Sequence, residues 1–356
     1  MMEEENKRAP SGSYIYSRSY TYDPAGNRTS ENSNVQNITY TYNAGNQLTS
    51  RVAPGETINY TYNANGNLTT ETSFVSGVKN YTYDYENRLT NVSLPGGTFE
   101  TYAYSGDGRR ISVNTNGNVV KYIYDDALPI IERDTAGSTL VSYTRIPGAP
   151  GGIGGMVSST DGSSTLYYHC SSLGNINQIT DASGNVIQTY EYDAFGNIVN
   201  ESGSLNNDHQ YKTKEYSANT GLVYFGARYY NPVIGRFITR DPMGMVDGPN
   251  LYLYCGNDPV NRIDPFGLFR RWDPRWRLVY EALKNYYKKW QKENPCAELP
   301  PIPGETSDAS LDEFAQAFAD MATSFSTDPE TIEDVLDELR EKYPGWPWDE
   351  WEDIVK

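Results

Sequence analysis

The stretch Tyr20-Thr21-Tyr22-Asp23-Pro24-Ala25-Gly26-Asn27 decides the fold, because close copies of it recur along the chain. The copies begin at Tyr40, Tyr60 and Tyr81, weaker copies begin at Tyr102 and Tyr122, and a last copy begins at Tyr190. Successive copies up to Tyr122 start 20 or 21 residues apart. A fixed period of this length indicates stacked copies of one supersecondary unit.

One unit has the pattern of a β-hairpin. The two tyrosines in Tyr20-Thr21-Tyr22 fall on the same face of a strand, because neighbouring side chains point to opposite faces. The Asp or Asn and the Gly that follow favour the positive φ angles of a tight hairpin turn. A short second strand, such as residues 47–52 or 68–72, returns the chain. We therefore expect a mainly β fold in which stacked hairpins form a long curved sheet or partial shell.

The composition agrees with this fold and excludes several functions. Tyr occurs 31 times and Phe 10 times in 356 residues, and aromatic residues favour strands. The net charge of −17 argues against a broad nucleic-acid-binding surface, which needs clustered Lys and Arg. The three cysteines, Cys170, Cys255 and Cys296, are odd in number and far apart in sequence, so they predict free thiols and neither a disulfide framework nor a zinc site.

Residues 1–13 are expected to form a flexible amino terminus. No apolar stretch of roughly 7 to 15 residues follows their charged beginning, so the sequence predicts no ordinary signal peptide. A run of about 20 apolar residues is also missing, and we expect no membrane span. Two locations remain open, the cytoplasm and the cell exterior or surface, the latter by an export route that needs no such signal.

The tyrosine repeat resembles the YD repeat of the RHS family, whose strands wind into a hollow shell around a carboxy-terminal cargo. The copies agree in residue type and in spacing, and we assign residues 14–165 to a YD-repeat β-shell segment. A generic tyrosine-rich β-solenoid or surface fibre is the alternative. Because family shells generally hold many more repeats, the resemblance also implies upstream RHS repeats as a partner of this segment.

Residues 166–268 resemble the RHS repeat-associated core. The match runs through Gly221-Leu222-Val223-Tyr224, Ala227-Arg228-Tyr229-Tyr230 and Gly235-Arg236-Phe237, and it ends in Asp264-Pro265-Phe266-Gly267-Leu268. In several members of the family this terminal motif marks an intramolecular aspartyl-protease site, which frees the variable carboxy-terminal segment.

The resemblance implies a catalytic carboxylate pair, Asp241 and Asp264, each of which opens an Asp-Pro-x-Gly motif. The cleavage site is then the bond between Leu268 and Phe269. Two carboxylates held close together cannot both ionise easily, so one of them keeps a proton. The pair, titrating as a unit, then supplies a general base for water and a general acid for the leaving amide.

Three arginines are candidates to support the pair. The resemblance points to Arg228, while Arg236 and Arg262 are nearer to the aspartates in sequence. A structural role competes for all three, because an arginine beside an aspartate in a turn often serves only as an ion-pair partner. The Asp-Pro-x-Gly motifs have a structural alternative as well, since proline and glycine together make a good turn.

The sequence indicates no cofactor and no metal site. His169 and His209 are the only histidines, and neither has a metal-site spacing to Cys, Asp or Glu. His169 lies in a Tyr-rich strand and is expected to be packed or to cap a turn. The glycine-rich run 148–155 lacks the Lys-Ser/Thr of a phosphate loop and predicts a flexible linker or loop.

After Leu268 the apolar period changes from 2 to 3.6, which predicts a small helical domain over residues 269–356. In the RHS family this position carries toxins of many unrelated kinds. The segment has no histidine, one cysteine and 11 basic against 20 acidic side chains, so a histidine-dependent nuclease and a zinc deaminase each lack a necessary group. An acidic metal-dependent site stays open, although such residues usually form a solvated helix face; its candidates are Asp312, Glu313, Asp320, Glu333 and Asp337.

Two functions from different classes therefore remain open. In the first, the chain is a polymorphic-toxin delivery protein whose tail is an effector, with a cognate immunity protein and a secretion machinery as partners. In the second, it is a non-enzymatic β-repeat surface or binding module with a helical partner-docking tail. For the shell, no nucleic-acid partner is expected in either case.

Overall fold

The first residue of each turn, an Asp or Asn in most repeats, holds the turn through its own backbone carbonyl and side chain. In the computed structural model of the chain, the Gly26 amide donates to the Asp23 carbonyl oxygen at 2.9 Å, and the Asn27 amide donates to Asp23 Oδ1 at 2.8 Å. Gly26 has φ +80°, in the left-handed region that glycine enters without strain. Asn46 holds the same position in the second repeat with φ +59°, and asparagine tolerates this region better than most residues. Local chemistry therefore favours each hairpin before any tertiary contact forms.

The structure describes residues 4–8, 14–34, 36–125, 128–146 and 155–268. The strands of the main sheet are β1 Glu4–Arg8, β2 Tyr14–Tyr22, β3 Arg28–Ser33, β4 Asn37–Tyr42, β5 Leu48–Ala53, β6 Glu56–Tyr62, β7 Leu68–Ser73, β8 Gly77–Tyr83, β9 Leu89–Ser93, β10 Phe99–Tyr104, β11 Arg110–Thr115, β12 Asn118–Asp125, β13 Leu128–Arg133, β14 Thr139–Ile146, β15 Gly155–Thr160, β16 Thr165–Cys170, β17 Ile176–Thr180, β18 Val186–Tyr192 and β19 Ile198–Gly203. A smaller sheet contains β20 Glu215–Tyr216, β21 Val223–Tyr224, β22 Tyr229–Asn231 and β23 Arg236–Phe237. Short 3-10 turns span Pro95–Gly97, Tyr211–Thr213, Gly244–Asp247 and Cys255–Asn257.

The main sheet is an antiparallel meander of 19 strands. Each strand from β1 to β18 pairs with the strand that follows it in the chain. The register shifts just before the second tyrosine of a repeat, for instance between Thr41 and Tyr42 and between Thr61 and Tyr62. Such β-bulges increase the local twist of the sheet. The expected mainly β fold of successive hairpins is confirmed.

In several repeats the first tyrosine is buried and bonds to a glutamate on the same face of the sheet. The Tyr40 hydroxyl donates to Glu31 Oε2 at 3.0 Å, and the Tyr81 hydroxyl donates to Glu71 Oε1 at 2.8 Å. A buried hydroxyl without an acceptor would be costly, so these carboxylates satisfy the polar end of each ring.

In five repeats the second tyrosine ties its hairpin to the preceding one. The Tyr83 hydroxyl donates to the Leu68 carbonyl oxygen at 2.8 Å, and Tyr104 makes the equivalent bond to Leu89 at 2.7 Å. Tyr42, Tyr124 and Tyr192 bond in the same way to Arg28, Arg110 and Ile176. The five acceptors are the first residues of β3, β7, β9, β11 and β17, so this bond recurs from repeat to repeat.

The meander curves until its first and last hairpins meet. Arg18 Nη1 lies 2.7 Å from Asp193 Oδ2, and the rings of Tyr20 and Phe195 meet edge to face with centroids 5.4 Å apart. The first residue of each pair lies on β2, and the second lies in the turn between β18 and β19. A flat sheet with this strand order would separate β2 from β18 by roughly 75 Å. The contacts therefore require strong curvature.

Residues 204–268, called the core segment below, pack against the inner tyrosine face and the turns of the repeats. Leu222 and Ile238 share a buried cluster with shell residues such as Tyr60. Asn250 Nδ2 donates to Asn27 Oδ1 at 2.7 Å, and the Tyr252 hydroxyl donates to the Gly66 carbonyl oxygen at 2.7 Å. The last two contacts position the stretch of chain between the two Asp-Pro-x-Gly motifs.

Several sequence expectations fall partly or wholly outside the described residues. The helical domain of residues 269–356 lies outside them, and of the glycine-rich run 148–155 only Gly155, the first residue of β15, lies inside. Within the amino-terminal segment 1–13, which was expected to be flexible, residues 4–8 form β1 and pair with β2, with one register shift between Lys7 and Arg8. The main sheet also continues across the expected boundary at residue 165, since β16 spans it.

Candidate active site

Asp241 lies in the turn that follows β23, with its carboxylate anchored on one side. Its amide donates to the Leu251 carbonyl oxygen at 2.9 Å, and its Oδ1 accepts the Met243 amide at 2.9 Å. The Gly244 amide closes the turn on the Asp241 carbonyl oxygen at 3.1 Å. These bonds hold the Asp-Pro-x-Gly turn in place and anchor Oδ1 of the carboxylate.

Asp264 is held in the same manner by the second Asp-Pro-x-Gly turn. Its Oδ1 accepts the Gly267 amide at 2.8 Å and the Leu268 amide at 3.1 Å. The Leu268 amide belongs to the residue that precedes the predicted cleavage site. Asp264 is thus in direct contact with that residue, while Phe269 lies outside the described residues.

Arg228 brings the two turns together. Its Nη2 lies 2.7 Å from Asp241 Oδ2 and 3.6 Å from Asp264 Oδ2. All three side chains are buried, with 3%, 9% and 4% of the surface of Arg228, Asp241 and Asp264 exposed. The guanidinium also lies 3.7 Å from the centroid of the Phe237 ring. Two carboxylates from distant parts of the core segment therefore face one cation in a largely desolvated place.

The residues just before the predicted cleavage site are held through their backbone carbonyls. Lys214 Nζ donates to the Pro265 carbonyl oxygen at 2.7 Å, and the Ala227 amide donates to that of Phe266 at 2.9 Å. Arg228 Nε donates to the carbonyl oxygen of Gly267. Three consecutive carbonyls are thus bound, much as a protease binds a substrate main chain.

Gly267 is required by this arrangement. Its φ is +73°, and a Cβ there would lie 3.0 Å from Phe225 Cβ and 3.2 Å from the Arg228 backbone nitrogen. Any larger residue would strain the backbone at this φ and would crowd Phe225 and Arg228.

The other two predicted supporting arginines lie against different partners. Arg236 Nη2 donates to the Asn46 carbonyl oxygen at 2.6 Å, and its guanidinium stacks on the Tyr42 ring, so it joins the core segment to the repeat turns. The Arg262 guanidinium lies 3.8 Å from Asp258 Oδ2, four residues earlier in the chain. Of the three, Arg228 is the one that the structure places between Asp241 and Asp264.

The two histidines occupy different environments. His169 was expected to be packed or to cap a turn, but it is exposed on β16, and its Nε2 lies 3.0 Å from Oγ1 of Thr180 on β17. His209 is buried, and its Nε2 lies 3.0 Å from Arg145 Nη2. Burial, and after it the charge of Arg145, holds the pKa of His209 well below the usual value.

Among the described residues, no cluster of His, Cys, Asp and Glu has the arrangement of a metal site. In the same part of the chain, no helix has the length and apolar character to cross a membrane.

Sequence reasoning missed the polar interior of the sheet and the contact of Lys214 with the Pro265 carbonyl oxygen. Glu132 on β13 accepts the Tyr143 hydroxyl at 2.6 Å, and burial raises its pKa to about 7. Glu215 forms an ion pair with Arg110 of the shell. Only the recurrence of a glutamate near the first tyrosine of some repeats hinted at such partly buried carboxylates.

Sequential tyrosine hairpins wound about a packed terminal core are the architecture of a YD-repeat shell. A model of the Teneurin YD-shell family matches residues 11–260, and the chain therefore belongs to this family. The resemblance to RHS/YD-repeat proteins is confirmed.

Relatives with known names match parts of the chain. Over 178 residues, 48% of this chain and 7% of the relative, it is 37% identical to the tRNA3(Ser)-specific nuclease WapA of Bacillus spizizenii. Over 92 residues, 25% of this chain and 10% of the relative, it is 40% identical to toxin subunit YenC2 of Yersinia entomophaga. The crystal structure of TcdB2-TccC3 superposes with a TM-score of 0.45 at 23% identity, over 75% of this chain and 18% of that one. Each match spans only a small share of the relative.

Proposed function

We propose that the core segment is an intramolecular aspartyl protease that cuts the bond between Leu268 and Phe269. The observation that carries the proposal is the position of Arg228 Nη2, 2.7 Å from Asp241 and 3.6 Å from Asp264. Arg228 keeps its charge under all ordinary conditions and balances one carboxylate. The second carboxyl group is least costly in this buried place when it carries a proton.

The reaction needs one ionised and one protonated carboxyl group. The ionised carboxylate takes a proton from water, and the water oxygen attacks the Leu268 carbonyl carbon. The protonated carboxyl group gives its proton to the Phe269 nitrogen as the carbon–nitrogen bond breaks. The products are a carboxylate at Leu268 and a free amine at Phe269. The bound carbonyls of Pro265–Gly267, which hold the chain that leads to this bond, support the proposal.

The experiment is the intact mass of the purified chain beside the Asp241→Asn and Asp264→Asn variants. We expect a fragment that begins at Phe269 in the parent and an intact chain in both variants. Asp258→Asn is the matched control, because Asp258 also precedes a proline and pairs with an arginine, Arg262. Since Asp-Pro bonds also break in acid, the new amino terminus must be sequenced. An uncut parent at neutral and mildly acidic pH would contradict the proposal.

We further propose that the shell delivers residues 269–356 as a toxin-type effector, with a cognate immunity protein and a secretion machinery as partners. The names of the relatives, a tRNA nuclease and a toxin subunit, support this role. The test compares the growth of bacteria that produce the parent chain with the growth of bacteria that produce the Asp264→Asn variant. Arrest by the parent alone would support effector release. Equal growth together with an uncut chain would favour a non-enzymatic surface or binding module with a partner-docking tail.

A further inference from the structure

We infer that Lys214 is a positioning residue for the cleavage reaction, acting on Asp264 through the carbonyl of Pro265; this inference rests on the proposed self-cleavage. Lys214 Nζ donates to the Pro265 carbonyl oxygen at 2.7 Å, across 51 positions of sequence. Its ammonium group also lies 5.8 Å from the centroid of the Phe225 ring.

The backbone at Lys214 is firmly placed. It follows Lys212 and Thr213, two non-glycine residues that both have φ +55°, a strained conformation that persists only where the surroundings impose it. The Lys212 amide donates to Asn175 Oδ1 at 3.2 Å, and Lys212 Nζ donates to the Pro259 carbonyl oxygen at 3.1 Å. Residues 212–214 thus bind the carbonyl oxygens of two prolines, Pro259 after Asp258 and Pro265 after Asp264.

The residue after Lys214 is fixed to the shell. Glu215 pairs with Arg110 of β11, and Glu215 Oε1 accepts the Tyr122 hydroxyl of β12 at 3.2 Å. Lys214 therefore links the Asp264 turn to strands β11 and β12 through one rigid stretch of chain. An assembled shell is then part of what orients the site.

The Lys214 contact holds the carbonyl side of the Pro265–Phe266 peptide, while the preceding Asp264–Pro265 peptide has no N–H with which to anchor the turn. Rotation of the peptide between Pro265 and Phe266 would displace the Gly267 and Leu268 amides that Asp264 Oδ1 accepts. By holding the Pro265 carbonyl, Lys214 keeps that peptide in one orientation. Asp264 Oδ2 is thereby kept toward Arg228 and the predicted cleavage site.

The test measures the rate at which the Phe269 fragment appears in the full chain carrying Lys214→Met, Lys214→Arg or Lys79→Met. Lys79 is the matched control, because its Nζ also donates to a core-segment carbonyl, that of Thr220, at 3.1 Å. We expect Lys214→Met to slow cleavage at least about tenfold, the effect of one lost charge-assisted hydrogen bond. Lys214→Arg should restore most of the rate, and Lys79→Met should leave it near that of the parent.

A second measurement separates positioning from folding. Thermal unfolding is compared for the Lys214→Met and Lys79→Met changes, each in the uncut Asp241→Asn background. Similar melting temperatures with a slow rate only for Lys214→Met support the inference. A parent-like rate for Lys214→Met, an equal slowing by Lys79→Met, or no rescue by arginine would overturn it while leaving self-cleavage standing. An uncut parent chain would instead overturn the proposed function itself.

Discussion

Arg18 on the first hairpin forms an ion pair with Asp193 in the turn of the last one, and this pair closes the curved sheet. Asp193 is 3% exposed, and its pKa is raised by burial against the opposing effect of Arg18. Arg18 Nη1 also lies 2.9 Å from Glu31. Arg18 therefore contacts two buried carboxylates at the point where the ends of the meander meet, and Arg28 is a second partner of Glu31 at 3.4 Å.

We expect Arg18→Met to lower the free energy of unfolding by about 2 to 4 kcal/mol, because the buried carboxylate of Asp193 loses its ion-pair partner, whereas Glu31 keeps Arg28 at 3.4 Å. Urea unfolding of the uncut Asp241→Asn chain measures the change. Arg109→Met is the control, since the Arg109–Asp107 pair is nearly half exposed and exposed pairs contribute little. Equal losses from the two substitutions would show that the pair of Arg18 and Asp193 does not hold the closure.

The bond from the second tyrosine to the preceding hairpin can be tested by removing one oxygen. Tyr83→Phe deletes the hydroxyl that donates to the Leu68 carbonyl and leaves that carbonyl short of a partner, so we expect a loss of about 1 kcal/mol. Tyr85→Phe, at a side chain that is 88% exposed, should change stability by less than about 0.5 kcal/mol. Urea unfolding midpoints compare the two, and a Tyr83→Phe chain as stable as the Tyr85→Phe chain would contradict the role of this bond.

Glu132 predicts a pH dependence of stability. Its pKa is raised from 4.5 to about 7 by burial, so the folded chain favours the protonated form. The resulting stabilisation is complete below the unfolded pKa and is lost as the pH rises through 7. Glu132→Gln keeps an acceptor for Tyr143 and cannot ionise. We expect it to be more stable than the parent by about 1 to 3 kcal/mol at pH 8 and similar to it at pH 4.5.

The measurement is urea unfolding of both chains at the two pH values, in the Asp241→Asn background. A constant difference between the chains across this range would mean that Glu132 does not titrate there. A variant that is less stable than the parent at pH 8 would mean that the charged form of Glu132 is needed for the fold.

The hairpins were predictable because their causes are local. Asp23, Gly26 and the tyrosines lie within a few residues of one another, and each exerts its preference on its own turn or strand. The meander follows from that local pattern, since neighbouring hairpins pair with each other. The Asp-Pro-x-Gly motifs at Asp241 and Asp264 were likewise recognisable, because each consists of four consecutive residues.

Contacts between distant segments were not predictable in the same way. The ion pair of Arg18 and Asp193 joins residues 175 positions apart, and no local preference of either residue indicates the other. Lys214 likewise carries no motif that points to Pro265. Such pairs depend on how far the whole sheet curves and where the core segment lies, which is a property of the assembled packing rather than of any repeat.

Gly267 tests the geometry of the predicted cleavage site directly. Gly267→Ala places a Cβ where φ is +73° and where Phe225 Cβ and the Arg228 nitrogen lie 3.0 and 3.2 Å away. We expect the turn to shift and the Phe269 fragment to appear at least about tenfold more slowly, since strain of about 1 to 2 kcal/mol falls on the bound backbone itself. Gly137→Ala is the control: its φ is also positive, at +90°, but among the described residues no atom lies within 4 Å of the added Cβ. The mass spectrum of each chain over time gives the two rates. Slow cleavage by Gly267→Ala alone would show that the packing around this glycine matters to the reaction, whereas equal rates in the two variants would show that the Asp264 turn need not hold this conformation when the bond is cut.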